Sequence, residues 1–325
     1  MRHDKEVEMN KLEACSRYLM YRRVSHPKSK QYIKVSSSAD ILSHVQKEID
    51  QLGSKGAKIG LLLSGGMDSA ILAAFLPPGS VAYTFDYGEG DEYCEYDVAS
   101  KYVREGVIHK KVSIGRDEFF SAAKELTALK QEPVVPHDPA IFIGCQKAKE
   151  DGVTHLMTGV GADGRLGGFA HFYKSSNFDD FIKVLYKQFV RPGKVLKSPV
   201  DVKYLLTPYV SDGVVDVQRY LLEMGTEGTA VYDTIKASGI NPVNLYTDMT
   251  YAGSFSQSEG LGKGLIKEAF LNLYPASYLT KKFLFLCLMA FGLKTIFLNT
   301  LILRSLQLNA LVEKTKCRST LLRIT

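Results

Sequence analysis

Residues 58–75, KIGLLLSGGMDSAILAAF, contain a short apolar run, a glycine turn and a second apolar run. This order predicts a buried strand, a tight turn and the start of a helix. The adjacent glycines Gly65 and Gly66 allow the backbone to turn sharply and to approach a ligand without an intervening side chain. The first N–H groups of the helix have no partner inside it, so they favour an anion. The stretch therefore predicts a phosphate-binding turn.

An acidic residue in the same turn narrows the type of ligand. Asp68 would repel a phosphate group directly, but it fits a site in which a divalent cation lies between carboxylate and phosphate. Ser64 and Ser69 add hydroxyl donors at the two ends of the turn. We therefore interpret the turn as a pyrophosphate cradle that includes a magnesium ligand. The alternative is a plain strand-to-helix turn capped by serine or aspartate.

The composition is that of an ordinary folded protein. Of 325 residues, 45% are hydrophobic and 23% are charged, and the net charge of +6 does not by itself indicate nucleic acid. The five cysteines are scattered without a CxxC or Cys/His spacing, which argues against a zinc site and a disulfide framework. This cysteine usage fits a reducing cytoplasm. The charged N-terminus contains no apolar core, so we expect no signal peptide.

Strand-like and helix-like segments alternate along the first half of the chain. Apolar runs at residues 81–85, 107–114 and 153–158 predict strands, and helical patterns lie between them. Such alternation predicts right-handed crossovers and a parallel sheet covered on both faces, with ligands at the carboxyl ends of the strands. We expect an α/β fold with a parallel-sheet core and a mainly helical C-terminal lobe.

A second glycine-rich turn, TGVGADGRLGGF, occupies residues 158–169. Its glycines satisfy the G-x-G-x-x-G pattern of dinucleotide-binding proteins, so an NAD(P)-dependent oxidoreductase is one interpretation. The other interpretation uses Asp163 as a second carboxylate, which together with Asp68 would hold one or two magnesium ions against a triphosphate. We favour the second interpretation because a single ligand then accounts for both turns.

The two turns together resemble a known family. SGGMDS resembles the signature of the N-type PP-loop ATP pyrophosphatases, which split ATP between its α and β phosphates. TGVGADGRLGGF resembles the second motif of the synthetase domain of asparagine synthetases and of their β-lactam synthetase branch. The similarity extends over about residues 40–285. It implies a PP-loop α/β core, ATP and Mg²⁺ as cofactors, and Asp68 and Asp163 as metal ligands.

The resemblance also assigns roles to individual residues. It implies that Asp68 and Lys282 are catalytic, since Lys282 matches a lysine that stabilises charge on the reacting intermediate. The residues implied in nucleotide binding are Ser64, Gly65, Gly66, Asp68, Ser69, Thr158 and Gly159. A further glycine-containing stretch, GLGKG at residues 260–264, lacks the spacing and the hydroxyl of a Walker A loop and receives no role.

The chain departs from the asparagine synthetases at two positions of the second motif. Those enzymes carry glutamates where this chain has Val160 and Gly164, and valine cannot transfer a proton or orient an amine. This departure counts against asparagine formation itself. We also expect no glutaminase domain, because position 2 is Arg2 rather than a nucleophilic cysteine and 57 residues are too few for such a domain.

The cysteine usage indicates a cytoplasmic location, and the resemblance implies an ATP-dependent amide-forming ligase. It would activate a carboxylate as an acyl-adenylate, release pyrophosphate and AMP, and use ammonia or an amine as the nucleophile. The expected partners are a small-molecule carboxylate, the nitrogen donor and an ammonia-supplying or pathway protein, whereas nucleic acid is not expected. Two alternatives stay open: a PP-loop enzyme that modifies tRNA, and a relative that binds nucleotide without catalysis.

The chain divides into four predicted parts. They are an N-terminal extension with a helix (1–57), a PP-loop ATP-binding core (58–175), a mainly helical part that completes the synthetase domain (176–282), and an apolar helix with a basic tail (283–325). The apolar residues 283–303 contain Lys294 near their middle, where a membrane would penalise the charge. We expect a buried closing helix there, with contact to a membrane surface as the alternative.

Overall fold

The structure is a computed structural model that describes residues 11–21, 31–87, 95–130, 134–175, 177–189, 191–224, 229–255 and 262–279. Contacts divide these residues into two compact units. The smaller unit contains residues 11–21 and 169–224, and the larger unit contains residues 31–168 and 229–279, with the gaps just given. The divisions predicted at residues 57, 175 and 282 stay predictions.

A five-stranded parallel sheet forms the centre of the larger unit. The strands of the described residues, in chain order, are β1 (Ile33–Val35), β2 (Ile59–Leu62), β3 (Val81–Asp86), β4 (Ile108–Ser113), β5 (His155–Thr158), β6 (Val210–Ser211), β7 (Val214–Val215), β8 (Asn241–Val243) and β9 (Met249–Tyr251). Strands β4, β3, β2, β5 and β8 lie side by side in that order, and every pair is parallel. The predicted α/β fold class with a parallel-sheet core is confirmed.

Helices cover both faces of this sheet. The helices of the described residues, in chain order, are α1 (Lys11–Tyr21), α2 (Ser38–Ser54), α3 (Met67–Ala73), α4 (Glu95–Ser100), α5 (Arg116–Lys130), α6 (Asp138–Glu150), α7 (Ala162–Arg165), α8 (Ala170–Tyr173), α9 (Phe178–Gln188), α10 (Val217–Glu223), α11 (Thr229–Ala237) and α12 (Gly264–Leu271). One apolar cluster joins the sheet to α2, α3 and α12, and another joins it to α5, α6 and α11.

Successive residues of the sheet strands pack alternately in these two apolar clusters. Ala82 packs in the first cluster, whereas Val81 and Tyr83 on either side of it pack in the second. The same alternation separates Leu156 from Met157 in β5. Because successive side chains of a strand point to opposite faces, both faces of the sheet are apolar and buried.

The edge strand β8 was not indicated by the sequence pattern. It is only three residues long, Asn-Pro-Val, and Pro242 carries no N–H for a strand on its far side. Proline is tolerated here because β8 pairs only with β5 within the described sheet. A short strand that contains proline gives no periodic signal, so the tertiary contact with β5 decides its conformation.

The smaller unit is mainly helical, with one two-stranded hairpin. Phe172, Phe181 and Leu206 lie in its buried apolar cluster. The hairpin of β6 and β7 turns through Asp212 and Gly213, whose φ angles are 51° and 76°. Two left-handed residues in a two-residue loop are typical of the tight turns that favour Asp-Gly. No helix of the described residues is long and apolar enough to cross a membrane, and residues 283–303 lie outside that set.

Candidate active site

The two glycine turns follow neighbouring strands of the sheet. Strands β2 and β5 are parallel, and Leu62 lies opposite Thr158 in the register. Both turns therefore begin at the carboxyl ends of their strands, at the same level of the sheet. The chain proceeds from β2 to β3 on one side and returns through β5 on the other. This is the switch point of an open parallel sheet, where ligands bind in such folds.

The first turn is held together by its own hydroxyl groups. The hydroxyls of Ser64 and Ser69 lie 3.0 Å apart, and the Ser64 N–H donates to the Ser69 hydroxyl at 3.0 Å. The Gly66 N–H donates to the Ser64 hydroxyl at 3.2 Å. Ser69 is 2% exposed, whereas Ser64 is exposed. In this structure the two serines define the shape of the turn, and their predicted contact with nucleotide stays a prediction.

Two tyrosines fix the short helix that carries Asp68. The Tyr246 hydroxyl donates to the main-chain oxygen of Asp68 at 2.8 Å, and the Tyr274 hydroxyl donates to that of Ala70 at 3.0 Å. Burial, with the nearby Asp68 charge, raises the pKa of Tyr246 well above its ordinary value, so the hydroxyl remains a donor. Asp68 is thereby placed by residues far away in the sequence.

The second turn packs closely against the first one. A Cβ atom at Gly159 would lie 2.8 Å from the Ser69 nitrogen, which is closer than real Cβ contacts. A Cβ atom at Gly168 would lie 1.9 Å from an Asp163 carboxylate oxygen. Thr158 is buried, and its hydroxyl accepts a hydrogen bond from the Val160 N–H at 3.3 Å. Glycine is therefore required where the two turns meet and where the chain folds over Asp163.

Replacing Gly161 with alanine is expected to lower the free energy of unfolding by about 1–3 kcal/mol. Gly161 has a φ of +104°, which L-residues rarely adopt, and its Cβ would lie 2.6 Å from Thr247. Urea unfolding measures the effect, with Gly53→Ala as the control. Gly53 lies in α2, and a Cβ atom added there would meet nothing within 4 Å, so alanine should be neutral or stabilising. Equal stability of both variants would contradict the assignment.

The carboxylates of Asp68 and Asp163 meet on one ammonium group. The Nζ atom of Lys263 is paired with Oδ2 of Asp68, and it lies 3.0 Å from Oδ1 of Asp163. The side chains of the lysine and the two aspartates are 8%, 21% and 17% exposed, respectively. The two acidic residues singled out in separate motifs therefore share one small, largely buried polar cluster, which we call the acidic pair with Lys263.

The backbone around Lys263 explains how the ammonium reaches this position. Lys263 has a left-handed φ of 66° and lies between two glycines, Gly262 and Gly264, just before α12. The Gly262 N–H donates to the Gly167 oxygen at 2.9 Å, which ties the segment to the second turn. Burial acts to lower the pKa of Lys263, but the charges of the two aspartates outweigh it, so the net shift is upward. The lysine is therefore protonated at neutral pH.

The charge of this cluster suits a divalent cation. Two carboxylates and one ammonium sum to a formal charge of −1, which disfavours a triphosphate, and a bound Mg²⁺ would change the sum to +1. Mg²⁺ is commonly held by one or two carboxylates together with phosphate oxygens and water. Within the described residues, no group of three or more His, Cys, Asp or Glu side chains could hold a metal ion by itself. The residues present fit a magnesium ion that is shared with phosphate.

The predicted site residues differ in what the structure says about them. Asp68 and Asp163 are brought together, and the residues predicted to bind nucleotide lie in two turns that follow the carboxyl ends of neighbouring strands. Lys282 lies outside the described residues. The sequence motifs did not predict Lys263 as a site residue, since it occurs only in the GLGKG stretch, to which no role was assigned. The available signal was a lysine flanked by glycines, but nothing local linked it to either turn.

The two departures from the asparagine synthetases are at least partly buried. Val160 is partly buried and packs against the cluster that joins the sheet to α5, α6 and α11. Its main-chain oxygen accepts a hydrogen bond from the Tyr232 hydroxyl at 3.1 Å. Gly164 is buried in α7. Neither position offers an ionisable side chain to a substrate.

The parallel sheet, with glycine turns at its switch point, defines an α/β nucleotide-binding fold of the PP-loop class. The pattern of the asparagine synthase family matches residues 45–213, which include both turns. The chain belongs to the asparagine synthase family. No curated protein matches the sequence. Among solved structures, the chain is similar to the U34-tRNA thiolase NcsA from Methanococcus maripaludis with its [4Fe-4S] cluster. The two share 15% sequence identity, and the match covers 76% of this chain and 92% of that chain. The TM-score is 0.24, so no functional conclusion is drawn from this similarity.

Proposed function

We propose that this protein is an ATP-dependent carbon–nitrogen ligase that activates a carboxylate as an acyl-adenylate and transfers the acyl group to ammonia or an amine. The observation that carries the proposal is the convergence of Asp68 and Asp163, from turns after neighbouring strands, on the ammonium of Lys263. Membership of the asparagine synthase family supports the same class of reaction.

The first step would join the substrate carboxylate to ATP. A carboxylate oxygen attacks the α-phosphorus, the bond from that phosphorus to the β-bridging oxygen breaks, and pyrophosphate leaves with the bonding electrons. Negative charge therefore grows on the leaving group, and a fixed positive charge beside it lowers the barrier. We assign this role to Lys263, because its ammonium lies at the carboxylates of both turns.

Asp68 and Asp163 would hold Mg²⁺ beside the ammonium of Lys263. When bound, this ion neutralises phosphate charge and polarises phosphoryl oxygens as a Lewis acid. The protein contributes the rigid placement of its ligands: Tyr246 fixes the main chain at Asp68, and the tight fold over Gly168 fixes the carboxylate of Asp163. Fixed groups need no reorganisation as charge develops, which is the main source of electrostatic catalysis.

The second step would release AMP. The nitrogen of the donor attacks the acyl carbon, the bond from that carbon to the AMP oxygen breaks, and the nitrogen loses a proton to water. Val160 and Gly164 offer no base for this proton. We therefore propose a donor that reaches the adenylate as a neutral amine: ammonia from solution or from a partner protein, or an amine within the substrate itself.

The test is carboxylate-dependent exchange of labelled pyrophosphate into ATP, followed by AMP release when ammonia or an amine is added. We expect one class of carboxylate to support exchange in the presence of Mg²⁺, and EDTA to abolish it. AMP formation that depends on tRNA instead of a carboxylate would favour the tRNA-modifying alternative. Nucleotide binding without exchange, over the whole panel of carboxylates, would favour the binding-only alternative.

A further inference from the structure

A carboxylate from another part of the chain contacts the main chain of the first glycine turn. Glu95, the first residue of α4, accepts a hydrogen bond from the Gly65 N–H at 3.1 Å through its Oε1 atom. Gly65 is buried, and a Cβ atom there would lie 3.6 Å from the Glu95 Cγ and 3.3 Å from the Val98 Cγ1. The helix therefore packs directly on the turn, and a Cβ atom at Gly65 would be in tight contact with Val98.

This contact uses a donor that the proposed reaction also needs. The Gly65 N–H belongs to the turn that would hold the pyrophosphate group, and a phosphate oxygen and a carboxylate oxygen are both anionic acceptors. One N–H group makes one strong hydrogen bond, so the two acceptors compete for it. The negative charge of Glu95 would also repel a phosphate group that remained beside it.

The position of α4 does not depend on this hydrogen bond alone. The Tyr96 ring stacks on the His109 ring with centroids 4.1 Å apart, and the Ser100 hydroxyl lies 3.2 Å from His109 Nδ1. These contacts anchor α4 to β4. The carboxylate of Glu95 can therefore leave Gly65 through rotation of its own side chain, while the helix stays in place.

We propose that Glu95 is an internal competitor for the pyrophosphate position, which rests on the function proposed above. Its carboxylate occupies the Gly65 N–H until phosphate oxygens displace it, and it returns as pyrophosphate leaves. Glu95 would thus weaken the binding of MgATP and accelerate the release of pyrophosphate after adenylation. MgATP binds only to molecules in which Glu95 has left the Gly65 N–H. The smaller the fraction of such molecules, the higher the apparent dissociation constant for MgATP.

The test compares Glu95→Gln with wild type and with Asp97→Asn. Glutamine keeps the shape of the side chain and removes its charge. Asp97 is an exposed acid two residues along the same helix, so it faces a different direction and controls for the general loss of one negative charge. Calorimetric titration with magnesium pyrophosphate and with MgATP measures the affinities, and thermal unfolding confirms that each variant is folded.

We expect Glu95→Gln to bind magnesium pyrophosphate about 3- to 10-fold more tightly than wild type, and Asp97→Asn to bind it about as wild type does. The amide resonance of Gly65 should shift in Glu95→Gln and stay in place in Asp97→Asn, which tests the contact without any nucleotide. Unchanged or weaker binding by Glu95→Gln would overturn the inference, as would equal tightening by Asp97→Asn. Failure of wild type to bind either ligand would instead overturn the proposed function, and the inference with it.

Discussion

Replacing Asp68 with asparagine is expected to lower carboxylate-dependent ATP–pyrophosphate exchange by about 10²-fold or more. Asparagine preserves the size of the side chain but leaves Asp163 as the one carboxylate of the acidic pair with Lys263. The formal charge of the remaining pair is zero, so its attraction for a divalent cation is lost. Exchange rates measured over a range of Mg²⁺ concentrations should show both a lower maximum and a weaker response to the metal.

A matched control separates loss of the site from loss of stability. Asp68→Asn removes one partner of a largely buried ammonium, which should lower the free energy of unfolding by about 1–3 kcal/mol. Asp151 is also partly buried and accepts hydrogen bonds from Lys110 and Tyr83 at 2.6 Å and 2.8 Å. It precedes β5, however, and so lies at the amino-terminal ends of the strands, away from the two turns. Asp151→Asn should lose stability and retain exchange. Normal exchange by folded Asp68→Asn would remove this residue from the metal site.

Replacing Lys263 with methionine is expected to slow AMP formation in a single turnover by about 10²-fold or more, while the requirement for Mg²⁺ is retained. Methionine keeps an unbranched side chain of similar length and removes the charge. The formal charge of the cluster formed by Asp68, Asp163 and residue 263 then changes from −1 to −2. Its affinity for the divalent ion should therefore be maintained or increased. Loss of rate without loss of metal response distinguishes this variant from Asp68→Asn.

Lys267 supplies the control for this variant. It lies one turn further along α12, is exposed, and its substitution by methionine removes the same charge without touching the aspartates. We expect Lys267→Met to form AMP at the wild-type rate. A Lys263→Met protein that is folded and equally fast would mean that the lysine only balances charge, and the stabilising role would then return to a residue such as Lys282.

Local sequence determined the parts of the site that depend on neighbouring residues. Apolar runs followed by glycine turns specify a strand and the bend after it, because burial and backbone freedom are properties of a few consecutive residues. Parallel strands place their carboxyl ends at one edge, so the pairing of Asp68 with Asp163 was predictable from the pattern of alternating strands and helices. The register of β2 against β5 and the shared contact with Lys263 agree with that prediction.

Tertiary structure decided the contacts that join distant segments. Lys263 is 195 residues from Asp68, and Glu95 is 30 residues from Gly65. No periodic pattern encodes such a pair, because the sequence around each charged residue looks like that of an ordinary surface position. Only the folded chain brings these side chains next to the glycine turns. The same holds for β8, where Pro242 is compatible with a strand only because the edge of the sheet demands no N–H from it. The motifs fixed which acidic groups meet, and the packed chain fixed which charged groups meet them, because short-range conformational preference acts within a few residues whereas ion pairing acts through space.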